Sequence, residues 1–457
     1  MKAKTIRLAA ILLLSLLGEA TSKAAADAHV VLITIDGFPA YLFWDPKTPI
    51  PRIRELATQG ATAEELRVSN PTVTWPNHTT LVTGVRPDKH GVLYNGILVR
   101  EGPGLPVKIE EQIDKAQLVT GPTLYDELHK WGLRTAAIDW PCTRNSTSLD
   151  DDFPDTPNNV LYMTPRLRKE LLSAGILADE RDSKFRALSS PGRDEVWTKA
   201  ACHVIKARRP HLLLLHLLNT DGIHHQYGPG STASYTALAL ADSLVGELLD
   251  ALDAAGIRKS TTVFVLADHG FATATKLLEP NVLFRQAGLL EIGDANREPK
   301  ARAIVLPEGG TGMVYLTDPQ TQEMDRKKVL DLLIGKEGID DVIQPEGYAA
   351  LGLPLPEKNP GMADLIIVAR DGYAISGTAL GDQFVVPIEG SVNRGYHGYL
   401  SNNPSMNAPF IASGRGIKQG VKIGAVENID IAPTMAHLLG HELRNVEGRV
   451  LSELLTP

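Results

Sequence analysis

The sequence predicts an α/β fold: a doubly wound, mostly parallel sheet sandwiched by helices. Short apolar runs rich in Val, Ile and Leu alternate with helical segments along most of the chain. These runs lack the alternation of polar residues seen in half-exposed strands, as expected when both faces of a sheet are buried. At 457 residues with 43% hydrophobic content, the chain can bury one large core or two modest ones.

The individual elements follow from these patterns in chain order. Apolar runs predict strands at 30–35, 134–139, 211–218, 261–267 and 409–413. Helices are predicted at 51–60, 122–131, 235–255 and 431–439, and the first of these begins with Pro and ends with Gly. Strands that alternate with helices of this length favour parallel pairing with crossover connections.

The pattern loosens after Phe271. Residues 280–390 are rich in Gly, Pro and charged side chains, with short apolar runs only at 312–316 and 365–369. We interpret this segment as a smaller inserted α+β lobe that caps the site. The core would then consist of residues 27–279 and 391–457.

Residues 1–26 resemble a signal peptide. Basic residues precede the apolar run 8–17, and three alanines at 24–26 provide a cleavage site. The run is about half of the roughly 20 residues that a membrane span needs, and no other segment approaches that length. We therefore expect a protein without a membrane span, located in the periplasm or secreted.

The charge balance argues against nucleic-acid polymers as partners. The whole chain has a net charge of −8, and residues 1–26 hold four basic residues and one acidic residue, which leaves about −11 for the remainder. Such a surface repels polyphosphate backbones, so an anionic substrate needs local metal charge to bind. The two cysteines, Cys142 and Cys202, could form a disulfide or remain two buried thiols, and the sequence leaves both alternatives open.

Three carboxylates and three imidazoles lie in or beside Gly-containing motifs near the ends of the predicted strands, and each of the three carboxylates is expected to follow its strand directly. Ligands beyond the carboxyl ends of parallel strands share one rim of the sheet, even when they are far apart in sequence. Six such ligands suit two zinc-class ions with open positions for substrate. The candidate residues are Asp36, Asp221, His225, Asp268, His269 and His397.

A candidate reactive hydroxyl group lies between these motifs in the sequence. Thr74 occurs in Asn-Pro-Thr-Val-Thr-Trp-Pro-Asn-His-Thr at 70–79, where a strand gives way to a helix predicted to begin near Pro76. Thr72 and Thr79 are rival hydroxyls, but only Thr74 directly precedes the aromatic-Pro-Asn start. The combination predicts metal-assisted hydrolysis of a phosphorus ester.

Five segments carry a resemblance to a known family. They read Ile-Asp-Gly-Phe at 35–38, Pro-Thr-Val-Thr-Trp-Pro-Asn-His-Thr from 71, Asp-Gly-Ile-His-His-Gln-Tyr-Gly-Pro at 221–229, Ala-Asp-His-Gly at 267–270 and Gly-Tyr-His-Gly at 395–398. In this order they resemble the nucleotide pyrophosphatase/phosphodiesterase family of the alkaline phosphatase superfamily. The likeness spans 30–439 and implies an alkaline phosphatase-like core, with a variable lobe between Phe271 and Gly395.

The resemblance also implies roles for individual residues. One Zn²⁺ would be held by Asp221, His225 and His397, and a second Zn²⁺ by Asp36, Asp268 and His269. Thr74 matches the nucleophile, which is also a weak metal ligand, and Asn95 matches the residue that hydrogen-bonds a phosphoryl oxygen. His78 and His90 are expected to be structural, and the motif spacing favours His225 over His224 as the ligand.

Departures from the family pattern bear on the substrate. Trp75 provides the aromatic residue after the nucleophile, but His216 stands where nucleotide-cleaving members have a second stacking aromatic, and Thr220 replaces their usual Pro. We include Trp75, Asn95 and His216 as candidate substrate contacts. Loss of one stacking wall would weaken base binding by about 1–3 kcal/mol, which argues against strong nucleotide specificity but not against diester cleavage.

Other reaction classes stay open. Phosphonoacetate hydrolases resemble the 219–230 segment but need cations near the metals, for which Arg144 and Lys89 are candidates. Exported alkaline phosphomonoesterases carry a Lys-x-Arg pair where this chain reads Ile-Asp-Trp-Pro-Cys-Thr-Arg at 138–144. A non-catalytic metal-binding relative is disfavoured because every ligand and the nucleophile are present, and a sulfatase is disfavoured because the site has Thr rather than Cys or Ser.

Overall fold

A computed structural model describes residues 27–293, 298–388 and 394–457, so the predicted signal peptide lies outside the described residues. Its centre is an eight-stranded sheet. The strands of this sheet are β1 His29–Ile35, β2 Ala61–Ala63, β3 Thr135–Pro141, β4 Asp151–Asp155, β5 Leu212–Leu217, β6 Thr261–Leu266, β7 Phe410–Gly414 and β8 Val421–Ile423. They lie side by side in the order β8-β2-β7-β6-β1-β5-β3-β4.

Parallel pairing dominates this sheet, which confirms the predicted fold class. Strand β1 pairs in parallel with β5, where Val30 faces Leu212, and with β6, where His29 faces Thr261. The pairs β5–β3, β3–β4 and β2–β8 are also parallel, whereas β7 runs antiparallel to β6 and β2. Every residue of β1, β5 and β6 is buried, as the continuous apolar runs predict for strands covered on both faces.

Helices cover the sheet. The longest helix, Thr232–Ala254, packs against the helices Ser190–Arg208 and Asn219–Tyr227. None of the helices in the described ranges is long and apolar enough to cross a membrane. The core helices are α1 Pro51–Gln59, α2 Thr74–Thr83, α3 Leu124–Lys130, α4 Ser190–Arg208, α5 Asn219–Tyr227, α6 Thr232–Ala254 and α7 Ile431–Leu438. Shorter helices lie at Ala40–Trp44, Pro87–His90, Lys115–Leu118, Asn159–Tyr162, Pro165–Ser173 and Asp182–Arg186.

A second, four-stranded antiparallel sheet lies within 280–390. Its strands are Ala303–Pro307, Thr311–Leu316, Leu365–Ala369 and Ile339–Ile343 in spatial order, with helices Pro280–Gln286 and Gln322–Leu333 in the same segment. Its apolar residues form their own buried cluster, which includes Val314, Val329 and Ile367. The exact lobe boundaries stay a prediction.

The sequence did not indicate that a hairpin of the N-terminal half packs on this lobe. Strands Ile97–Arg100 and Val107–Glu110 pair with each other, and Leu98 shares a buried cluster with Tyr315 and Ile366 of the second sheet. No short-range pattern connects these segments, because more than 200 residues separate them along the chain. The segment just after α2 is therefore held between the two sheets.

Candidate active site

Loops and helix starts at the carboxyl ends of β1, β5 and β6 bring the candidate ligands together. Asp36 directly follows β1, and Asp268 lies two residues after β6. The prediction that Asp221 also follows its strand directly was wrong: Asp221 is the third residue of α5. Its position in a helix has a consequence, because residues four apart lie on the same helical face.

Asp221, His225 and His397 form what we call the outer group. His225 Nε2 lies 3.5 Å and His397 Nε2 3.8 Å from Asp221 Oδ1. The two imidazole rings lie 5.1 Å apart between centroids. One ligand atom from each of the three residues lies within 4.8 Å of the other two, which is a suitable spacing for a shared metal ion.

Asp36, Asp268 and His269 form the inner group. His269 Nε2 lies 3.4 Å from both Asp36 Oδ1 and Asp268 Oδ2. The second set of ligand atoms that lie within 4.8 Å of one another consists of Asp36, Asp221 and His269, so Asp221 lies between the two groups. The His269 and His397 rings stack at 4.0 Å, which also joins the groups.

Unpartnered polar atoms converge in these groups. Buried side-chain atoms normally have hydrogen-bond partners, and each exception calls for an explanation. The buried atoms without partners include both carboxylate oxygens of Asp36, Oδ1 of Asp221, Oδ2 of Asp268 and Nε2 of His269. Metal ions bound among them would satisfy these atoms, so the donor set fits a pair of zinc-class cations.

The other ring nitrogens fix the orientation of the three imidazoles. Nδ1 of His225 lies 3.0 Å from the Gly395 carbonyl oxygen, and Nδ1 of His397 lies 3.1 Å from that of Thr72. His269 Nδ1 is 3.1 Å from the Gly270 carbonyl oxygen. A carbonyl only accepts, so Nδ1 carries the proton and the Nε2 lone pair faces the site, as metal-binding histidines require.

Burial shifts the pKa values at the site strongly. It raises the pKa of Asp36 well above its usual range, with further contributions from Asp268 and Asp221, and it raises that of Asp221 to about 6. Burial lowers the pKa of His269 to about 3 and that of His397 well below the usual value. The carboxylates are therefore held in a water-poor site that a cation would stabilise, while these histidines stay neutral.

Helix α2 begins at Thr74, two residues before the predicted start near Pro76. The hydroxyls of the rival residues are engaged elsewhere: that of Thr72 donates to the Tyr399 carbonyl at 2.7 Å, and that of Thr79 to the Trp75 carbonyl at 2.8 Å. This geometry favours Thr74 among the three hydroxyls.

Asn95 lies beside the start of α2. Its Oδ1 accepts the backbone N–H of Trp75 at 2.9 Å. Because the oxygen faces that donor, the amide Nδ2 group of Asn95 is available to donate. The neighbouring Tyr94 hydroxyl donates to the Pro307 carbonyl of the second sheet at 2.8 Å, which ties this segment to the lobe.

Two of the candidate substrate contacts, Trp75 and His216, lie in the interior. The His216 side chain is fully buried, with Nε2 3.3 Å from Asp36 Oδ2 and Nδ1 3.0 Å from the Thr34 hydroxyl, so it supports the inner group and offers no surface to a base. Trp75 is only 6% exposed, and its Nε1 donates to Asp155 Oδ2 at 3.0 Å.

The remaining histidines and cations of the motifs have structural partners. His224 bridges the Gly37 carbonyl and the Ser234 hydroxyl, and His90 contacts the Thr80 hydroxyl. Contacts from His78 reach Thr34 and the Thr74 carbonyl. The two candidate cations form ion pairs, Lys89 with Glu447 at 2.5 Å and Arg144 with Asp114 at 2.9 Å.

The cysteines are unpaired and buried in different clusters. Cys142 packs with Trp75 and Val92, whereas Cys202 belongs to the main core. This decides between the two alternatives that the sequence left open, in favour of free thiols.

Sequence reasoning missed two carboxylates near the site. Asp155 ends β4 and accepts the Trp75 indole N–H. Asp194 on α4 contacts the start of α5. Neither belongs to a Gly motif, and a carboxylate whose hydrogen-bond donors lie far along the chain leaves no local pattern.

Comparison with known proteins agrees with this geometry. The sequence profile of the type I phosphodiesterase/nucleotide pyrophosphatase family matches residues 30–400. The chain belongs to this family. It thereby falls in the alkaline phosphatase superfamily, as the sequence motifs predict.

Individual relatives are distant. The chain is 27% identical to rat (Rattus norvegicus) ectonucleotide pyrophosphatase/phosphodiesterase family member 3 over 242 residues, which are 53% of this chain and only 24% of that protein. A pyrophosphatase/phosphodiesterase of Schizosaccharomyces pombe is 23% identical, with coverage of 90% and 77%. The venom phosphodiesterase of Macrovipera lebetinus is 25% identical, with coverage of 90% and 43%.

Solved structures support the fold. Human ectonucleotide pyrophosphatase/phosphodiesterase 5 superposes with a TM-score of 0.69 at 18% identity, covering 94% of this chain and all of that chain. The murine protein of the same name gives the same values. At this level of identity, the likeness concerns the fold alone.

Proposed function

We propose that this protein is an exported two-zinc hydrolase that cleaves phosphodiester bonds through a covalent phosphothreonine intermediate. Nucleotide pyrophosphates are one candidate substrate class, alongside other diesters. The observation that carries the proposal is the convergence of unpartnered carboxylate and imidazole atoms at one rim of the sheet. Membership of a phosphodiesterase family supports the reaction class.

In this proposal, Asp221, His225 and His397 hold one Zn²⁺, and Asp36, Asp268 and His269 hold the other. When bound, a pair of such ions supplies Lewis-acid stabilisation of phosphoryl charge. The protein's own contribution is orientation: Asp268 Oδ1 accepts the backbone N–H groups of Gly37 and His269 at 3.1 and 3.0 Å, which directs Oδ2 toward His269 Nε2.

The chemical step belongs to Thr74. Its Oγ1 gives up its proton to water and forms a bond to phosphorus, while the bond from phosphorus to the departing ester oxygen breaks and that oxygen takes up a proton from water. Water then cleaves the phosphothreonine and restores the hydroxyl. Asn95 Nδ2 donates to a phosphoryl oxygen, because its Oδ1 is already engaged by Trp75 N–H.

We favour diesters over monoesters on grounds of charge. A diester brings one negative charge to the site and a monoester brings about two at alkaline pH. The Asn95 amide is a neutral donor, and 138–144 lacks the Lys-x-Arg pair of the monoesterases. Because Arg144 and Lys89 are paired with carboxylates, the carboxylate of phosphonoacetate has no evident partner either.

A comparison of four substrates tests the proposal. Zinc-loaded protein should have a higher kcat/KM for an aryl phosphodiester than for the matching monoester, with a nucleotide ester and phosphonoacetate assayed in parallel. A monoester preference would make the exported alkaline phosphatases the better relatives. Dominant activity on phosphonoacetate would favour carbon–phosphorus bond hydrolysis, and Arg144 would be the first residue to substitute.

Export is proposed from residues 1–26. Expression of the full chain in a Gram-negative host, followed by fractionation, should place the processed protein in the periplasm or medium. Retention of the unprocessed chain in the cytosol would contradict this part of the proposal.

A further inference from the structure

Asp194 contacts the first turn of α5, the helix that carries two outer-group ligands. Its Oδ1 accepts the Leu218 N–H at 3.0 Å, and its Oδ2 accepts the Asn219 N–H at 3.1 Å. The Asp194 side chain is buried, with the residue only 2% exposed, and it belongs to α4 rather than to the strand-to-helix connection itself. The carboxylate therefore reaches this helix start from a different element of the core.

This contact replaces a local cap. The first N–H groups of a helix have no partner within the helix, and a side chain at the start usually accepts one of them. Leu218 occupies that position in α5 and has no such side-chain bond. A negative carboxylate at this end also interacts favourably with the helix dipole.

Two hydrogen bonds to consecutive N–H groups restrain both the position and the rotation of the helix start. Asp221 follows two residues after Asn219, and His225 one turn later on the same face. A small rotation of α5 would move Asp221 and His225 together relative to His397, and it would change the 3.8 Å separation of Asp221 Oδ1 and His397 Nε2. The geometry of the outer group thus depends on where the first turn is held.

Burying this carboxylate is costly. Burial raises the pKa of Asp194 to about 7 even though both N–H donors act in the opposite direction. A neutral capping side chain would satisfy one of the N–H groups without this desolvation cost. A carboxylate differs from such a side chain because its two oxygens can accept both N–H groups at once.

We propose that Asp194 is a positioning residue that orders α5 so that Asp221 and His225 face His397 before an ion binds. This inference rests on the proposed metal-binding role of the outer group. Substrate and metal need not touch Asp194, because the residue acts through the backbone of Leu218 and Asn219.

The chain contains a matched control. Asp242 on α6 accepts the backbone N–H groups of Arg52 at 3.1 Å and Ile53 at 2.8 Å, at the start of α1. Asp242 is also buried, at 4% exposure. The same pair of hydrogen bonds thus occurs at a helix that carries none of the candidate ligands, so Asp242→Asn reproduces the local loss without touching the outer group.

The experiment compares Asp194→Asn and Asp242→Asn in the metal-free full chain. Each substitution puts an amide NH₂ against one backbone N–H, and both should lower the melting temperature to a similar extent. Zn²⁺ affinity is measured by competition with a chromophoric chelator, and Co²⁺ absorption reports ligand geometry. We expect Asp194→Asn to weaken the binding of one of two ions at least about tenfold and to alter the Co²⁺ spectrum, while Asp242→Asn changes affinity less than about twofold.

The outcomes distinguish failure of the positioning role from failure of the proposed function. Equal affinities and spectra for the two variants would overturn the positioning role. Wild-type protein that binds no Zn²⁺, or Asp221→Ala protein that still binds two ions, would instead contradict the proposed function. If Asp194→Asn does not fold, Asp194→Ser keeps one uncharged acceptor, and affinity equal to that of the wild type in this variant would also overturn the role.

Discussion

The inner and outer ligand groups differ in how the protein holds them. Side chains of the inner group, Asp36, Asp268 and His269, are at most 1% exposed and follow two central strands of the sheet. In the outer group, the Asp221 side chain is 18% exposed, and its partners are also accessible. The inner group is thus built by the buried core, whereas the outer group is more accessible and is assembled from a helix and a loop distant in sequence.

The outer group also depends on the lobe. The Gly310 N–H donates to the His397 carbonyl at 2.8 Å, and the Thr311 hydroxyl donates to the Gly398 carbonyl at 2.8 Å. His397 is therefore held between the lobe turn 308–311 and Thr72 of the core. None of the inner-group ligands lies on a segment that the described part of the lobe holds in this way, so disturbing the lobe should affect the two groups unequally.

The largest expected effect concerns the proposed nucleophile. Thr74→Ala should reduce turnover at least about 100-fold, because the variant lacks the proposed nucleophile. Zinc content should stay near that of the wild type, since carboxylates and imidazoles hold the ions. Single-turnover assays and elemental analysis check both statements. Activity above a few per cent would exclude Thr74 as the nucleophile and turn attention to Thr72 or to water.

Removing one imidazole from each group tests the asymmetry directly. His397→Ala should lower bound zinc from two ions toward one. The loss of zinc affinity should exceed the roughly 10–100-fold that is typical when a residue contacting a metal ligand is replaced. His269→Ala should in addition lower the melting temperature of the loaded protein, because His269 is fully buried. Elemental analysis and thermal melts of both variants provide the measurement. Unchanged stoichiometry in His397→Ala would remove His397 from the site.

A smaller effect is expected when the lobe turn is strained. Gly309 has φ +110°, and a Cβ there would lie 2.3 Å from the His397 carbonyl oxygen. Gly309→Ala should cost about 1–3 kcal/mol of backbone strain and displace His397. Competition titration should show weaker binding of one ion only, whereas equal weakening of both ions would refute the comparison. Gly372→Ala is a suitable control, since its φ is +83° and no atom lies within 4 Å of the added Cβ.

The final prediction concerns the pH dependence of stability rather than metal binding or turnover. Burial raises the pKa of Glu308 to about 8, so the folded protein holds this proton more tightly than the unfolded chain. The stability contribution is complete below the ordinary pKa of 4.5 and is lost as pH rises through 8. At about 1.36 kcal/mol per pH unit, the loss is at most about 5 kcal/mol.

Glu308→Gln should flatten this decline. Denaturant melts at pH 5 and pH 9 provide the measurement. Relative to the wild type, the free energy of unfolding of the variant should be larger at pH 9 than at pH 5. The Thr311 hydroxyl lies 3.0 Å from Glu308 Oε2 and can still form a hydrogen bond with the amide group of the substituted side chain. A parallel decline in both proteins would assign the pH dependence to other groups.

Much of the core could be read from the sequence, for an identifiable reason. Strands β1, β5 and β6 are buried on both faces, so their apolar runs stand out, and the structure has them within one or two residues of the predicted ends. The α/β class followed from those runs, and the alkaline phosphatase-like core followed from the family resemblance of the motifs. Local patterns, however, do not record partners that lie far along the chain.

The features that the sequence did not predict have this common origin, because they depend on residues that are distant in sequence. The burial of Trp75 and His216 depends on Asp155, Thr34 and Asp36, which are distant in sequence. The helical position of Asp221 was missed because α5 starts directly after a strand without a recognisable capping residue. Residues with Gly motifs could be proposed as ligands, and the structure brings those six together, although their roles stay a prediction.

The order of strands in the central sheet has a consequence for how the chain reaches its native state. Val30 in β1 pairs with Leu212 and Thr262, and Leu266 in β6 pairs with Phe410. Pairings this distant form slowly, because a long loop must close before any contact compensates its entropy. During synthesis, the rim cannot be completed until most of the polypeptide has emerged. Zinc added to a refolding mixture should therefore increase the final yield without accelerating assembly of the sheet.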